Sequence, residues 1–203
     1  MNTHRRHAML GLSALLAAPA TQAARPLAAT LSQFAGPYYP VVPIPRISDL
    51  TAHQGHTARG QPLALAGTVV DRNGTPLNKV LVEIWQADHA GRYRHPKAPQ
   101  TDRVDPGYAG FGATLTDGDG AYGFRTIVPV PYTGRPPHIH ARLHLDGREL
   151  LTTQIYLAGQ ERESGFFFSM MAPLWGRRER LTISPQAAAP GDLRARFDFV
   201  VEA

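Results

Sequence analysis

Cysteine is absent from the 203-residue chain. Without thiols the chain cannot form disulfides, bind a metal through thiolate sulfur or use a cysteine nucleophile. Stretches in which lysine and arginine alternate with aromatic residues are absent too, so the net charge of +5 does not indicate a nucleic-acid interface. Any catalytic or metal chemistry of this protein must therefore proceed without a thiol.

The first 23 residues follow the order of a secretory signal peptide. Residues 4–7 are histidine and arginine, residues 8–18 are apolar, and small residues surround Ala23. The apolar run is shorter than the roughly 20 residues that cross a bilayer as a helix, and a buried N-terminal helix is the alternative. Arg5 and Arg6 fit the twin-arginine export route. We expect cleavage of this segment and a mature protein in the periplasm or outside the cell, without a transmembrane segment.

The remaining residues predict an all-β fold with one domain. Residues 24–60 are rich in proline, glycine and alanine, which predicts an extended N-terminal arm. In residues 61–203, short alternating segments separated by turn signals are typical of a β-sandwich. The predicted strands are 63–70, 80–85, 122–126, 138–145, 150–157, 181–184 and 197–201. We also predict a hairpin turn at Asn73-Gly74 and a short helix within residues 170–180.

Two histidines in one predicted strand form the first candidate site. Because alternate residues of a strand face the same side, His138 and His140 can present two imidazoles to one metal ion. His144 has the same parity, so alternation alone does not choose the ligands. Such pairs serve zinc, copper and iron sites, and they also occur without a metal.

Two tyrosines extend this candidate site. Tyr132 precedes His138 closely, and Tyr93 follows the end of a predicted strand. A free tyrosine has a pKa of about 10, but a neighbouring trivalent cation can ionise it. Phenolates are hard anionic donors that favour Fe(III), whereas zinc and copper sites rarely use two tyrosines. Tyr108 is the alternative to Tyr93.

Several segments of the chain match known motifs, in the order 36–40, 67–74, 82–88, 91–95, 115–120, 122–127, 131–132, 135–140 and 151–156. On these segments the sequence resembles the intradiol ring-cleavage dioxygenases, and most closely their protocatechuate 3,4-dioxygenase-like branch. The resemblance covers residues 33–160 and implies a transthyretin-like β-sandwich core. It implies an iron(III) site with four protein ligands, Tyr93, Tyr132, His138 and His140.

The resemblance also implies roles in the reaction, which is the cleavage of a catechol-type ring by O2 to a muconate-type diacid. Arg135 is expected to face the substrate and stabilise negative charge on the ring. Tyr132 is expected to accept a substrate proton, and Gln154 to form hydrogen bonds near the substrate or the ligands. The segment between Tyr132 and His138 is shorter than in the protocatechuate enzymes, so the sequence does not specify which catechol is cleaved.

Three aromatic residues have two interpretations each. Trp85 is expected in the core or in the pocket wall, with the core favoured, whereas Tyr38 and Tyr39 either line the pocket mouth or simply pack. The expected partners are a small aromatic diol and O2, and a homo-oligomer is compatible with the sequence.

Two alternative functions remain open at this stage. One is a non-catalytic transthyretin-like binding module, because a fold does not determine a function. The other is a metalloprotein that holds zinc or copper at His138 and His140. Calcium at Asp117-Gly-Asp-Gly120 is not expected, because later acidic ligands are missing, and that segment predicts a turn.

Overall fold

The computed structural model describes residues 25–99, 103–132, 135–159 and 178–203. The predicted signal peptide and most of the helix predicted within residues 170–180 lie outside these ranges. Arg178–Leu181 forms a 3₁₀ helix. Within the described ranges, no helix has the length and apolar character needed to cross a membrane.

The described residues form an all-β fold, as predicted. The strands are β1 Ala52–His53, β2 His56–Thr57, β3 Pro62–Asp71, β4 Leu81–Trp85, β5 Phe111–Leu115, β6 Ala121–Ile127, β7 His138–Leu145, β8 Arg148–Leu157, β9 Thr182–Ile183, β10 Gln186–Ala189, β11 Asp192–Arg196 and β12 Phe199–Val201. Strands β5, β10 and β11 were not predicted, and β1 and β2 form a small hairpin inside the predicted arm.

Two five-stranded sheets build the sandwich. In the first sheet β6 pairs with one edge of β3, while β11 and β12 pair with successive parts of its other edge, and β10 follows β11. The second sheet has the order β5-β4-β7-β8-β9. Strands β7 and β8 form the predicted hairpin, and both turn residues, Asp146 and Gly147, have the positive φ that a tight two-residue turn requires.

The core lies between the two sheets. It contains fully buried apolar side chains of both, among them Leu63, Val69 and Phe199 from the first sheet and Val82, Ile84, Ile139, Leu143 and Ile155 from the second. These side chains occupy alternate strand positions, because successive residues of a strand face opposite sides.

The hairpin turn predicted at Asn73-Gly74 is confirmed, but the hairpin is short. The Asp71 carboxylate accepts hydrogen bonds from the backbone N–H groups of Asn73 and Thr75, and the returning chain pairs with β3 only through an antiparallel bridge between Val70 and Pro76. The chain then crosses to the other sheet, where β4 pairs with β5 and β7 rather than with β3. The apolar side chains of Val80, Val82 and Ile84 are therefore buried in the core from the second sheet.

Candidate metal centre

The candidate site lies on the outer face of the second sheet, opposite the core. Strand register places Trp85, His140 and Gln154 side by side across β4, β7 and β8, and places His138 beside Tyr156. The N-terminal arm and the loops that carry Tyr93 and Tyr132 cover this face, so both histidines are buried.

His138 and His140 converge on one point. Their Nε2 atoms are 3.1 Å apart. The Nδ1 atom of His138 lies 2.7 Å from the Pro136 carbonyl oxygen, which can only accept a hydrogen bond, so Nδ1 carries the proton and Nε2 presents a lone pair. Two imidazole lone pairs at this distance repel each other unless a proton or a cation lies between them.

The two predicted tyrosines complete the cluster. The hydroxyl of Tyr132 lies 3.5 Å from His138 Nε2. The ring of Tyr93 lies 5.1 Å from that of Tyr132 and 6.2 Å from that of His140, measured between centroids. Within the described residues, the buried Tyr93 hydroxyl and His140 Nδ1 have no hydrogen-bond partner.

The alternative residues lie elsewhere. Tyr108 is buried in the core, where its hydroxyl is 2.8 Å from Thr126 Oγ1. His144 lies at the other end of β7, opposite Leu81, with Nε2 3.5 Å from a carboxylate oxygen of Glu83. The structure therefore separates both residues from the cluster.

Burial keeps the four clustered groups neutral in the metal-free protein. Burial, reinforced by the nearby Arg135 guanidinium, lowers the pKa of His138 to about 3. The pKa of His140 lies well below its ordinary value, mainly because the ring is buried and further because His138 and Arg135 lie nearby. Burial raises the pKa values of Tyr93 and Tyr132, and the neighbouring Tyr132 phenol raises that of Tyr93 further. Ionisation of the phenols at neutral pH therefore needs a bound cation.

Arg135 and Gln154 lie together beside the cluster. Arg135 Nη2 donates to Gln154 Oε1 at 2.6 Å. Backbone N–H groups of Tyr132 and Arg135 donate to each other's carbonyl oxygens at 3.3 and 2.7 Å, which ties the second tyrosine to the arginine. The segment 135–137 leads directly into β7. Residues 135–140 therefore carry three of the predicted site residues, Arg135, His138 and His140.

Aromatic side chains of the arm and of β4 surround the cluster. Tyr38 packs against Tyr93 with ring centroids 4.9 Å apart, and Trp85 stacks parallel on the imidazole of His140 at 4.8 Å. Trp85 thus belongs to a second apolar cluster on the outer face rather than to the core that the sequence favoured, because its parity is opposite to that of Ile84. Tyr39 packs edge-on against Trp85 and donates to the Glu83 carboxylate at 2.9 Å.

Gly36 allows the arm to approach the site closely. Its φ is +71°, and a Cβ atom there would lie 3.3 Å from Cε1 of His140. A side chain at this position would be strained by the backbone conformation and crowded by the imidazole.

Two supporting groups were missed by the sequence reasoning. The buried Asp88 carboxylate accepts hydrogen bonds from the backbone N–H groups of Ala90 and Arg92, at 2.9 and 3.0 Å, and so fixes the loop before Tyr93. Arg94 Nη2 donates to the Asp105 and Tyr108 carbonyl oxygens and fixes the loop after it. An acidic residue three positions before a turn glycine, Gly91, is the signal that could have identified Asp88.

Two cavities adjoin the site. One of about 330 Å³ has Tyr38, Arg92, Tyr93 and Tyr132 in its wall, and its size suits a single aromatic ring. A larger one of about 510 Å³ lies beside Tyr156 and Pro136. We assign the smaller cavity to the site, because both tyrosines of the cluster line it.

The donor set suits a hard trivalent cation. Among the described residues, no group of three or more His, Asp or Glu side chains could hold a metal ion, and the groups that lie beside the two histidines are the tyrosines. Two imidazole nitrogens and two phenol oxygens form that set, and the unpartnered Tyr93 hydroxyl is already free of competing hydrogen bonds. The residues therefore fit Fe(III).

Comparison with known proteins identifies the family. A family model described as Dioxygenase matches residues 34–202. The chain belongs to the intradiol dioxygenase family. The match begins at Phe34, so part of the predicted arm is included in the family domain.

Curated relatives of this intradiol dioxygenase are 34% and 39% identical to it over the matched segments. The beta chain of protocatechuate 3,4-dioxygenase from Burkholderia cepacia is 39% identical over 109 residues, which are 49% of this chain and 46% of the relative. Catechol 1,2-dioxygenase 2 from Acinetobacter lwoffii is 34% identical over 121 residues, 51% of this chain and 42% of the relative. The chain thus spans about half the length of the curated relatives it matches.

Solved structures share the fold. The dioxygenase domain of a dioxygenase and carbohydrate-binding fusion from Streptomyces sp. SirexAA-E has a TM-score of 0.67 and 32% identity, and the match covers 87% of this chain and 99% of that one. The 3-chlorocatechol 1,2-dioxygenase of Rhodococcus opacus 1CP has a TM-score of 0.66 and 27% identity, with 85% and 72% covered.

Proposed function

We propose that this protein is an Fe(III)-dependent intradiol dioxygenase, which cleaves a catechol-type ring between its hydroxyl-bearing carbons and forms a muconate-type diacid. The observation that carries the proposal is the convergence of His138 and His140, with Nε2 atoms 3.1 Å apart, beside the two tyrosines. Family membership and relatives named for catechol and protocatechuate cleavage support the same reaction.

The iron would be held by Tyr93, Tyr132, His138 and His140. When bound, Fe(III) supplies Lewis acidity and withdraws electron density from the diol, which makes the ring reactive toward O2. The protein supplies two imidazoles whose Nε2 atoms lie 3.1 Å apart, and burial disfavours the positively charged form of both rings.

Tyr132 is the ligand suited to proton transfer. Its side chain is half-buried and lines the cavity, whereas Tyr93 is only 3% exposed. In the proposed reaction the Tyr132 phenolate accepts a proton from one diol hydroxyl, and the more deeply buried Tyr93 keeps its place in the cluster.

Arg135 provides fixed positive charge beside the cluster. Its guanidinium lowers the pKa values of both histidines and opposes the burial-induced rise for both tyrosines, so it acts electrostatically on all four groups. In the proposed reaction this charge stabilises negative charge that develops on the ring.

The test is to follow both oxygen atoms. Iron-loaded protein is incubated with catechol under ¹⁸O₂, and the products are examined by mass spectrometry. We expect one O2 consumed for each ring cleaved and two labelled oxygens in one diacid. A product with a single label, or no oxygen uptake with catechol, protocatechuate and hydroxyquinol, would reject the proposed activity.

We propose further that the protein works outside the cytoplasm. The support is the basic, apolar and small-residue order of residues 1–23. Amino-terminal sequencing of protein recovered from the periplasmic fraction should give a start after Ala23. A cytoplasmic protein that retains its first residues would contradict this localisation.

A further inference from the structure

Gln154 lies at the centre of a hydrogen-bond network whose direction can be worked out. Its Nε2 donates to the Phe34 carbonyl oxygen at 2.8 Å. Its Oε1 accepts from Arg135 Nη2 at 2.6 Å and from the Tyr156 hydroxyl at 2.9 Å. A carbonyl can only accept and a guanidinium can only donate, so the orientation of the Gln154 amide is fixed.

The Tyr156 hydroxyl has a second contact, with the amide of Gln33. The Tyr156 oxygen lies 2.7 Å from Oε1 of Gln33. The Tyr156 hydroxyl has one proton, which it donates in the hydrogen bond to Gln154 Oε1. Its oxygen must therefore accept from Gln33, which requires the Gln33 amide to be turned so that its NH₂ group points toward Tyr156. The network then runs from Gln33 to Tyr156 to Gln154, where it meets Arg135.

The arm holds Gln33 in place. The backbone N–H of Gln33 donates to the Thr152 carbonyl oxygen at 2.8 Å, and Thr153 Oγ1 donates to the Leu31 carbonyl oxygen at 2.7 Å. The segment 31–34 therefore lies along β8, next to Gln154. These contacts connect the arm with a side chain of the candidate site across more than a hundred residues of sequence.

We propose that Tyr156 and Gln33 are positioning residues, which hold Arg135 through Gln154 in the orientation used for ring cleavage. The proposal rests on the proposed function, in which Arg135 stabilises charge on the substrate. A free arginine side chain samples many rotamers, and fixing one before reaction avoids that ordering cost during the reaction.

The first test removes only the hydroxyl. Tyr156→Phe keeps the ring, which packs 5.9 Å from the His138 imidazole, and is expected to lower kcat about tenfold, as for the loss of one hydrogen bond to an oriented group, without a change in bound iron. Tyr122→Phe is the matched control, because the buried Tyr122 hydroxyl lies in the first sheet, on β6, and donates to the carbonyl oxygen of Phe197 between β11 and β12.

A double-mutant cycle shows whether Tyr156 acts through Arg135. In an Arg135→Ala background, Tyr156→Phe should change kcat by less than about twofold, because the group it positions is gone. A tenfold loss in both backgrounds, or no loss in the native background, would overturn the proposal.

The direction of the network gives a second test. Gln33→Glu replaces a donor with an acceptor of the same shape, which draws the Tyr156 proton away from Gln154. Gln33→Ala leaves Tyr156 free to donate to Gln154. We expect the glutamate variant to lose kcat about tenfold and the alanine variant less than about threefold. The reverse order would overturn the assigned direction.

A measurement without turnover separates this inference from the proposed function. In metal-free, ¹⁵N-arginine-labelled protein, the Arg135 side-chain signal is assigned by its loss in Arg135→Lys. Tyr156→Phe should shift and broaden that signal, and Tyr122→Phe should leave it unchanged. An unchanged signal in Tyr156→Phe overturns the positioning role. Absence of ring cleavage by the native protein would instead reject the proposed function and leave this measurement valid.

Discussion

The two faces of the second sheet are both buried, yet they are built for different purposes. Strands β4 and β7 place Val82, Ile84, Ile139, Ala141 and Leu143 on the inner face and Glu83, Trp85, His138, His140 and Arg142 on the outer face. The inner face packs against the other sheet, whereas the outer face is covered by the arm and two loops.

The comparison shows that burial alone does not distinguish a core from a site. Apolar burial on the inner face stabilises the fold in proportion to the area removed from water. Burial on the outer face depresses the pKa values of two histidines and raises those of two tyrosines, which leaves neutral groups that a cation can bind. One strand of alternating residues thus serves both purposes.

The largest effect is expected from breaking the outer face. His138→Ala removes one donor whose Nδ1 is fixed by the Pro136 carbonyl, so the variant should lose most of its bound iron and its turnover. Metal analysis after iron loading measures this, with His144→Ala as the control that keeps its iron. Full occupancy in His138→Ala would remove this residue from the ligands.

Breaking the inner face at the next residue should instead cost stability. Ile139 is fully buried between the sheets, so Ile139→Ala should lower the free energy of unfolding by about 2–5 kcal/mol. Urea denaturation of the metal-free protein measures this loss. If His138→Ala lowered the unfolding free energy as much in the same assay, the division of purpose between the two faces would be wrong.

A smaller effect is expected from removing charge beside the site. Arg135→Ala should retain iron but lower kcat about 100-fold, comparable to the loss of one donor that stabilises an oxyanion. Steady-state kinetics together with metal analysis give both quantities. Turnover close to that of the native protein would exclude electrostatic stabilisation by Arg135.

The smallest expected effect is that of removing one hydroxyl from either of two buried tyrosines, Tyr93 and Tyr108. Tyr93→Phe should weaken or shift the visible absorption of the iron-loaded protein, because one phenolate is lost. Tyr108→Phe should leave the spectrum unchanged and lower the unfolding free energy by about 1 kcal/mol, since it loses the hydrogen bond to Thr126. A spectrum altered only by Tyr108→Phe would reverse the assignment.

Much of the fold follows from local signals in the sequence. The β7–β8 hairpin is set by Asp146-Gly147 between two alternating runs. Strand β5 carries no such signal, and its alternation is interrupted by Gly112, where a Cβ atom would clash with the Ile47 carbonyl oxygen of the arm. This glycine reflects a tertiary contact rather than a local preference, so a reading of neighbouring residues does not reveal the strand.

The members of the candidate site could be named from the sequence, but the choice between rivals could not be made from spacing. Strand alternation places His144 on the same face as His140, so it does not choose between them as ligands. Only the strand register shows that His140 pairs with Trp85 and His144 with Leu81. The contact between Gln33 and Tyr156 joins residues 123 positions apart, and no local pattern marks it. The roles of these residues remain predictions.

The most direct test of the proposed metal centre is an absorption spectrum of the purified, iron-loaded protein before and after anaerobic addition of catechol. We expect a broad visible band from phenolate bound to Fe(III), which moves to longer wavelength when catechol binds. A colourless protein that holds iron and does not respond to catechol would contradict the proposed metal centre.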